Sequence, residues 1–103
     1  MAEKVIAGTT VKVNTEGYFE EPSQWTQNMA VEMAREYGIQ LTDKHFAVLE
    51  FLRKKHLNGE QLTIRRVGAS GITDIKEFYQ LFPGGPLKIS SKLAGIPKPT
   101  SCV

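Results

Sequence analysis

Apolar residues recur along this chain in two rhythms. In "TTVKVNTEGYFE" they alternate: Val11 and Val13 share one side of an extended segment, and a turn at Glu16-Gly17 leads into Tyr18-Phe19. This pattern predicts a small β-hairpin. Two strands alone are marginal in water, so the hairpin must pack on other elements. From residue 25 the spacing becomes helical. Met29, Ala30, Met33, Ala34 and Tyr37 form one stripe behind a Thr26 cap, with Gly38 as the stop and Trp25 pinning the start. The stripe is rich in methionine and reads as core packing. A second helix begins after Thr42. Its Phe46, Val48, Leu49, Phe51 and Leu52 cover a wide arc, which predicts a central helix contacted from more than one side. Asp43 suits the positive end of that helix, and Arg53, Lys54 and Lys55 suit its negative end. His45 and His56 fall in its first and last turns. These are surface or capping positions, because no nucleophile or acid stands beside either in sequence.

Beyond residue 62 the elements shorten. Thr63 and Thr73 read as caps of two short helices joined by a glycine-punctuated turn. The second carries the stripe Ile75, Phe78, Tyr79 and Phe82 and ends at Pro83 and two glycines. Pro86 then opens a last helix of about two turns, closed by Gly95. Nothing periodic follows. The expected architecture is therefore α+β: an N-terminal β-hairpin packed on a small bundle of about five helices with a helix-turn-helix-like element. Residues 1–95 form one domain, and residues 96–103 form an extended C-terminal arm.

Composition narrows the class. A chain of 103 residues with 41% hydrophobic and 23% charged residues suits one soluble domain with a modest core. No window is apolar for long enough to span a membrane. The start "MAEKVIAGTT" lacks a basic region followed by an apolar run, so a cytoplasmic protein is expected. Charge is lopsided. Residues 1–50 hold four Lys/Arg and eight Asp/Glu, a net of −4; residues 51–103 hold nine Lys/Arg and three Asp/Glu, a net of +6. A basic C-terminal half can meet an anionic partner or stabilise an anion, and it can equally be a solvated surface.

Three groups of residues carry candidate chemistry. The helix-turn-helix pattern at 63–82 invites a DNA-binding reading. The exposed face of its second helix reads Asp74, Lys76, Glu77 and Gln80, a poor surface for phosphate, and Arg65 and Arg66 lie on the preceding helix. Helix-turn-helix geometry is also simply a good way to pack three helices. In the last helix Lys88 and Lys92 share a face, with Ser91 beside it and no general base in sequence to activate that serine. The third group is the tail "GIPKPTSCV". Pro97 and Pro99 favour an extended path, and eight residues at about 3.1 Å each reach roughly 25 Å. Cys102 is the only cysteine, so the chain forms no internal disulfide. His45, His56 and Cys102 show no metal-binding spacing, and neither a metal nor an organic cofactor is expected. A free thiol of pKa about 8.5 is only a few per cent ionised at neutral pH. The Val103 carboxylate nearby disfavours the thiolate further, with Lys98 offsetting part of this. A quiet thiol on a reaching arm suits a carrier that a partner's cleft activates, better than a free-standing enzyme.

These residues resemble a known family. "LFPGGPLKISSKLAGIPKPTSCV" looks like the C-terminal signature of the DsrC/TusE family of sulfur-relay proteins: L-F-P-x-G-P at Leu81–Pro86, A-G-[LI]-P-K-P at Ala94–Pro99, and a penultimate cysteine. "TEGYFEEPSQW" and "LTDKHFAVLEFLR" resemble two further family segments, with Phe46 where tryptophan is usual. The resemblance implies a small α+β fold with a mobile C-terminal arm. It also implies that Cys102 carries sulfur as a persulfide between a sulfur-donor transferase complex and an acceptor. In the TusE branch the acceptor is the tRNA thiolase; in the DsrC branch the arm enters the dissimilatory sulfite reductase. Two-thiol DsrC members hold a second cysteine eleven residues upstream of the first. Here that position is Ser91, so the second thiol is lost and the arrangement is TusE-like or that of a DsrC-like paralogue. The segment between Arg65 and Tyr79 is also shorter than in many members.

The sequence reading is thus a sulfur carrier, monomeric when free. It accepts sulfane sulfur on Cys102, with Arg65, Lys88, Lys92 and Lys98 favouring the anionic persulfide or an acidic partner surface. The transfer is sulfurtransferase-type, between proteins. Two alternatives belong to other classes: a helix-turn-helix DNA-binding regulator with Cys102 as redox sensor, and a non-catalytic subunit of a sulfite reductase complex.

Overall fold

The N-terminal strands β1 (Ala2–Ile6) and β2 (Thr9–Val13) pair antiparallel, with Ala2 opposite Val13 and Ile6 opposite Thr9. The computed structural model describes residues 2–100, and Cys102 lies outside them. The hairpin exists, but one strand earlier than the alternation suggests. Its two-residue turn is Ala7-Gly8, both at positive φ, 50° and 79°, the geometry that matches strand twist in tight hairpins. Beyond β2 one isolated bridge among the described residues, Val13 to Phe19, extends the pairing. The Asn14 side chain accepts from the main-chain N–H groups of Glu16 and Tyr18 and closes that second turn into a compact loop. Strand β1 is hard to read because only Ile6 is buried, so it shows no alternation.

After a 3-10 turn at Pro22–Gln24 come five helices: α1 (Gln27–Glu36), α2 (Asp43–Leu57), α3 (Ile64–Gly68), α4 (Ile75–Leu81) and α5 (Pro86–Leu93). Thr26, Thr42 and Thr63 cap α1, α2 and α3 through their side-chain oxygens, as expected. At α4 the cap is Asp74, which accepts from the Glu77 N–H, rather than Thr73. Thr73 is buried and donates to the Glu77 carboxylate at 2.6 Å. Both residues are good caps, and the chain places the more solvated one at the helix end.

One core joins the hairpin to the bundle. Ile6, Val11, Val13 and Phe19 meet Met29, Ala30, Met33 and Ala34 from α1 and Val48, Leu49 and Leu52 from α2. Phe78 and Phe82 pack edge to face, ring centroids 5.8 Å apart, and the His45 ring stands edge-on to Phe82 at 5.2 Å. The expected apolar stripes are partly corrected: Tyr37, Ile75 and Tyr79 are exposed. The most enclosed helix is α5 rather than α2, with Pro86, Leu87, Ile89, Ser90, Ser91 and Leu93 all buried. Its serines disguise it in sequence as a half-polar surface helix. It packs against α1, α2 and α4, and so carries the start of the C-terminal segment out of the centre of the molecule.

Among the described residues no helix is long and apolar enough to cross a membrane.

Candidate functional site

The C-terminal segment leaves the body at a constructed root. Gly95 sits at φ +68°, a conformation that favours glycine, and a Cβ there would fall on the Trp25 side chain. The Trp25 indole N–H donates to the Leu93 carbonyl at 2.7 Å. Arg53 lies over the same indole, 4.3 Å from its centroid, and its guanidinium donates to the carbonyls of Ala94 at 2.9 Å and Pro22 at 3.1 Å. Burial lowers the Arg53 pKa from its ordinary value, and the Glu50 carboxylate raises it in part. Ile96 is core, 1% exposed, and its N–H donates to the Ser91 carbonyl. The α5 C-terminus, Trp25 and Arg53 together therefore fix where the segment starts and which way it points.

Outward from Ile96 the contacts change in kind. Pro97 and Lys98 are half-buried, Pro99 is buried and Thr100 is exposed. Lys98 donates to both Glu16 carboxylate oxygens, at 3.0 and 3.1 Å, across the loop that follows β2. The Gln61 amide donates to the Thr100 hydroxyl at 3.3 Å. Pro97–Thr100 form one wall of a groove of about 410 Å³, and His56 and residues 59–62 form the other. A second groove of about 410 Å³, lined by Phe51, Lys55, Arg66 and Ser70 among others, lies across the 60–62 segment from the first. Residues 96–99 belong to no helix or strand.

The expected site residues divide. Lys98 and Lys92 both turn toward the 14–18 loop: Lys98 pairs with Glu16, and the Lys92 ammonium stands 5.1 Å from the Tyr18 ring centroid. Lys92, Glu16 and Gly17 also line one small cleft of about 90 Å³. Lys88 is exposed on α5 and Arg65 is exposed on α3. Among the described residues neither forms an ion pair. Cys102, the expected sulfur-bearing residue, lies outside the described residues. Ser91 is fully buried in α5, its hydroxyl without a hydrogen-bond partner among the described residues.

Sequence reasoning missed Glu16, Trp25, Arg53 and Gln61 as parts of this site. Arg53 looked like a charge placed for the α2 dipole, yet it reaches sideways to Pro22 and Ala94. No local signal distinguishes such an arginine from Lys54 beside it.

The helix-turn-helix face offers little to a nucleic acid. The Asp74 carboxylate caps its own helix, Glu77 engages Thr73 and Lys44, and Arg66 donates to the Gln61 carbonyl.

Comparison with known proteins places this geometry. The family model described as "DsrC like protein" matches residues 5–103, through the C-terminal segment. A sulfurtransferase TusE of Shigella dysenteriae is 33% identical over 107 aligned positions, covering 96% of this chain and 98% of that protein. Among solved structures, DsrC of Allochromatium vinosum superposes with a TM-score of 0.81 at 29% identity, covering 98% of this chain and 97% of that one. The DsrC/gamma subunit of dissimilatory sulfite reductase from Pyrobaculum aerophilum gives 0.77 at 33% identity, covering 99% and 95%.

Proposed function

The chain belongs to the DsrC family, and from that membership we propose that it is a sulfur carrier whose working group is the Cys102 thiol. The observation that carries this reading is the full-length match. It runs to residue 103, so it takes in the Pro97–Pro99 segment and the penultimate cysteine as well as the bundle. Residues 96–103 act as the arm, rooted by Trp25, Arg53 and Gly95.

In the transfer, the Cys102 thiolate attacks the terminal sulfur of a donor protein's persulfide. The donor S–S bond breaks, the donor thiolate leaves with the electron pair, and the transferred sulfur remains on Cys102 as a persulfide. Delivery repeats the exchange toward an acceptor, with no net oxidation or reduction. Lys88, Lys92, Lys98 and Arg65 favour the anionic sulfur or an acidic partner surface. The partners are a sulfur-donor transferase and an acceptor protein. With Ser91 in place of a second thiol, the relay uses Cys102 alone, as a TusE-like carrier toward a tRNA thiolase does, rather than closing an internal disulfide. An unpaired thiol of this kind belongs in a reducing, cytoplasmic setting.

The test is intact mass after incubation with a persulfide donor. A gain of one sulfur in the wild type, absent from Cys102→Ser, is the expected result. A chain that stays unmodified with every cognate donor removes the reading.

A further inference from the structure

The C-terminal segment is held by two sets of contacts of different strength. The inner set is buried or made to main-chain carbonyls: Trp25 to Leu93, Arg53 to Ala94, Ile96 in the core. The outer set is solvated side chain to side chain, Lys98 to Glu16 and Gln61 to Thr100, on either side of the buried Pro99. At Lys98 and Glu16 the side chains are 29% and 43% exposed, so water and salt compete for the pair. Between the sets lies Pro97, half-buried, with no N–H to give to a further main-chain bond. The fold thus has a fixed root that ends at Ile96 and a solvated tie beyond it.

We propose that Glu16 is a positioning residue for the arm: its two-oxygen ion pair with Lys98, seconded by Gln61 and Thr100, latches the outer arm along the groove beside His56, and loss of the pair frees the arm beyond Ile96. The functional weight of this latch rests on the carrier reading of Cys102; its existence does not. Two residues of chain separate the Thr100 and Cys102 Cα atoms, so a held Thr100 limits the Cys102 Cα to within about 7 Å of its own. Among the described residues one acidic side chain, Glu16, ties Lys98. A partner offering its own carboxylate to Lys98 exchanges one ion pair for another and takes the arm with it.

The experiment is 15N relaxation of the whole chain, read at Lys98 and Thr100. In the wild type at low salt these residues have order parameters near the rigid-backbone value of about 0.85, and in Glu16→Gln and Lys98→Glu they fall below about 0.6. The double variant Glu16→Lys/Lys98→Glu restores rigidity, which a merely structural role for either side chain would not produce. In about 1 M salt, where the Debye length is about 3 Å, the wild type loosens toward Glu16→Gln. The Trp25 indole signal is unchanged throughout, since the root is separate. Unchanged order parameters in both single variants, or no recovery in the charge swap, overturn the latch. Failure of Cys102 to take up sulfur would instead remove the carrier reading and leave these values as measured.

Discussion

The indole N–H of Trp25 donates to the main-chain carbonyl of Leu93 at 2.7 Å, joining residues 68 apart in sequence. Its ring occupies the space that a side chain at Gly95 would need, and its face carries the Arg53 guanidinium. One aromatic side chain thus satisfies the end of α5, seats the turn that launches the C-terminal segment and stacks on the arginine that holds the next carbonyl. A helix C-terminus leaves carbonyls without intrahelical partners, and here long-range side chains answer two of them.

Gly95→Ala meets two penalties. Alanine at φ +68° costs about 1–2 kcal/mol, and overlap with Trp25 adds about 1–3 kcal/mol. The urea midpoint falls clearly, while Gly59→Ala, also at positive φ but in open space, falls only by the first amount. Equal losses for the two variants would show that Trp25 is not wedged there.

Arg53 is used for its fork. Arg53→Lys keeps the charge but cannot reach both Pro22 and Ala94 in one plane, so it recovers little of what Arg53→Ala loses. Each hydrogen bond from a charged donor is worth about 1.5–3 kcal/mol, which sets the scale of the loss. Thermal unfolding of the two variants measures it; a lysine variant as stable as the wild type contradicts the assignment.

His45 has one tautomer in this fold. The Thr42 N–H donates to Nδ1 at 3.0 Å, so Nδ1 is the acceptor, and Nε2–H donates to the Leu81 carbonyl at 2.9 Å. The ring closes a capping box at α2 and ties it to α4. A long-range 15N–1H spectrum shows the proton on Nε2, and His45→Ala loses about 1–2 kcal/mol from the cap, more from the tie. A proton on Nδ1 in the neutral ring refutes this arrangement.

Ser91 buries a hydroxyl with no partner among the described residues. Its desolvation is uncompensated, a cost of about 1–3 kcal/mol. Ser91→Ala therefore leaves stability unchanged or raises it, despite the buried position. A loss of more than about 1 kcal/mol in denaturant midpoint analysis would point to a partner for the hydroxyl.

The legible parts of the fold are those fixed within a few residues. Thr26, Thr42 and Thr63 are recognisable as caps because a cap bonds to a main-chain group three residues on, whatever the rest of the molecule does. Pro86 at the first position of α5 and the positive-φ Gly95 after it are local in the same sense. The first strand was hidden because it is solvated on both faces except at Ile6, and a turn of Ala7-Gly8 carries only half of the usual signal. The burial of α5 was hidden because serine is small enough to be enclosed yet counts as polar in any pattern.

The sequence by itself determined the five helices, their order and the family signature that ends in a penultimate cysteine. Only the tertiary structure decided what holds that segment. Arg53 and Ala94 are 41 residues apart, Trp25 and Leu93 are 68 apart, and Glu16 and Lys98 are 82 apart. Contacts at such separations leave no periodicity to read. They form because packing α1, α2 and the hairpin around α5 brings three distant side chains to the one place where the chain leaves the core.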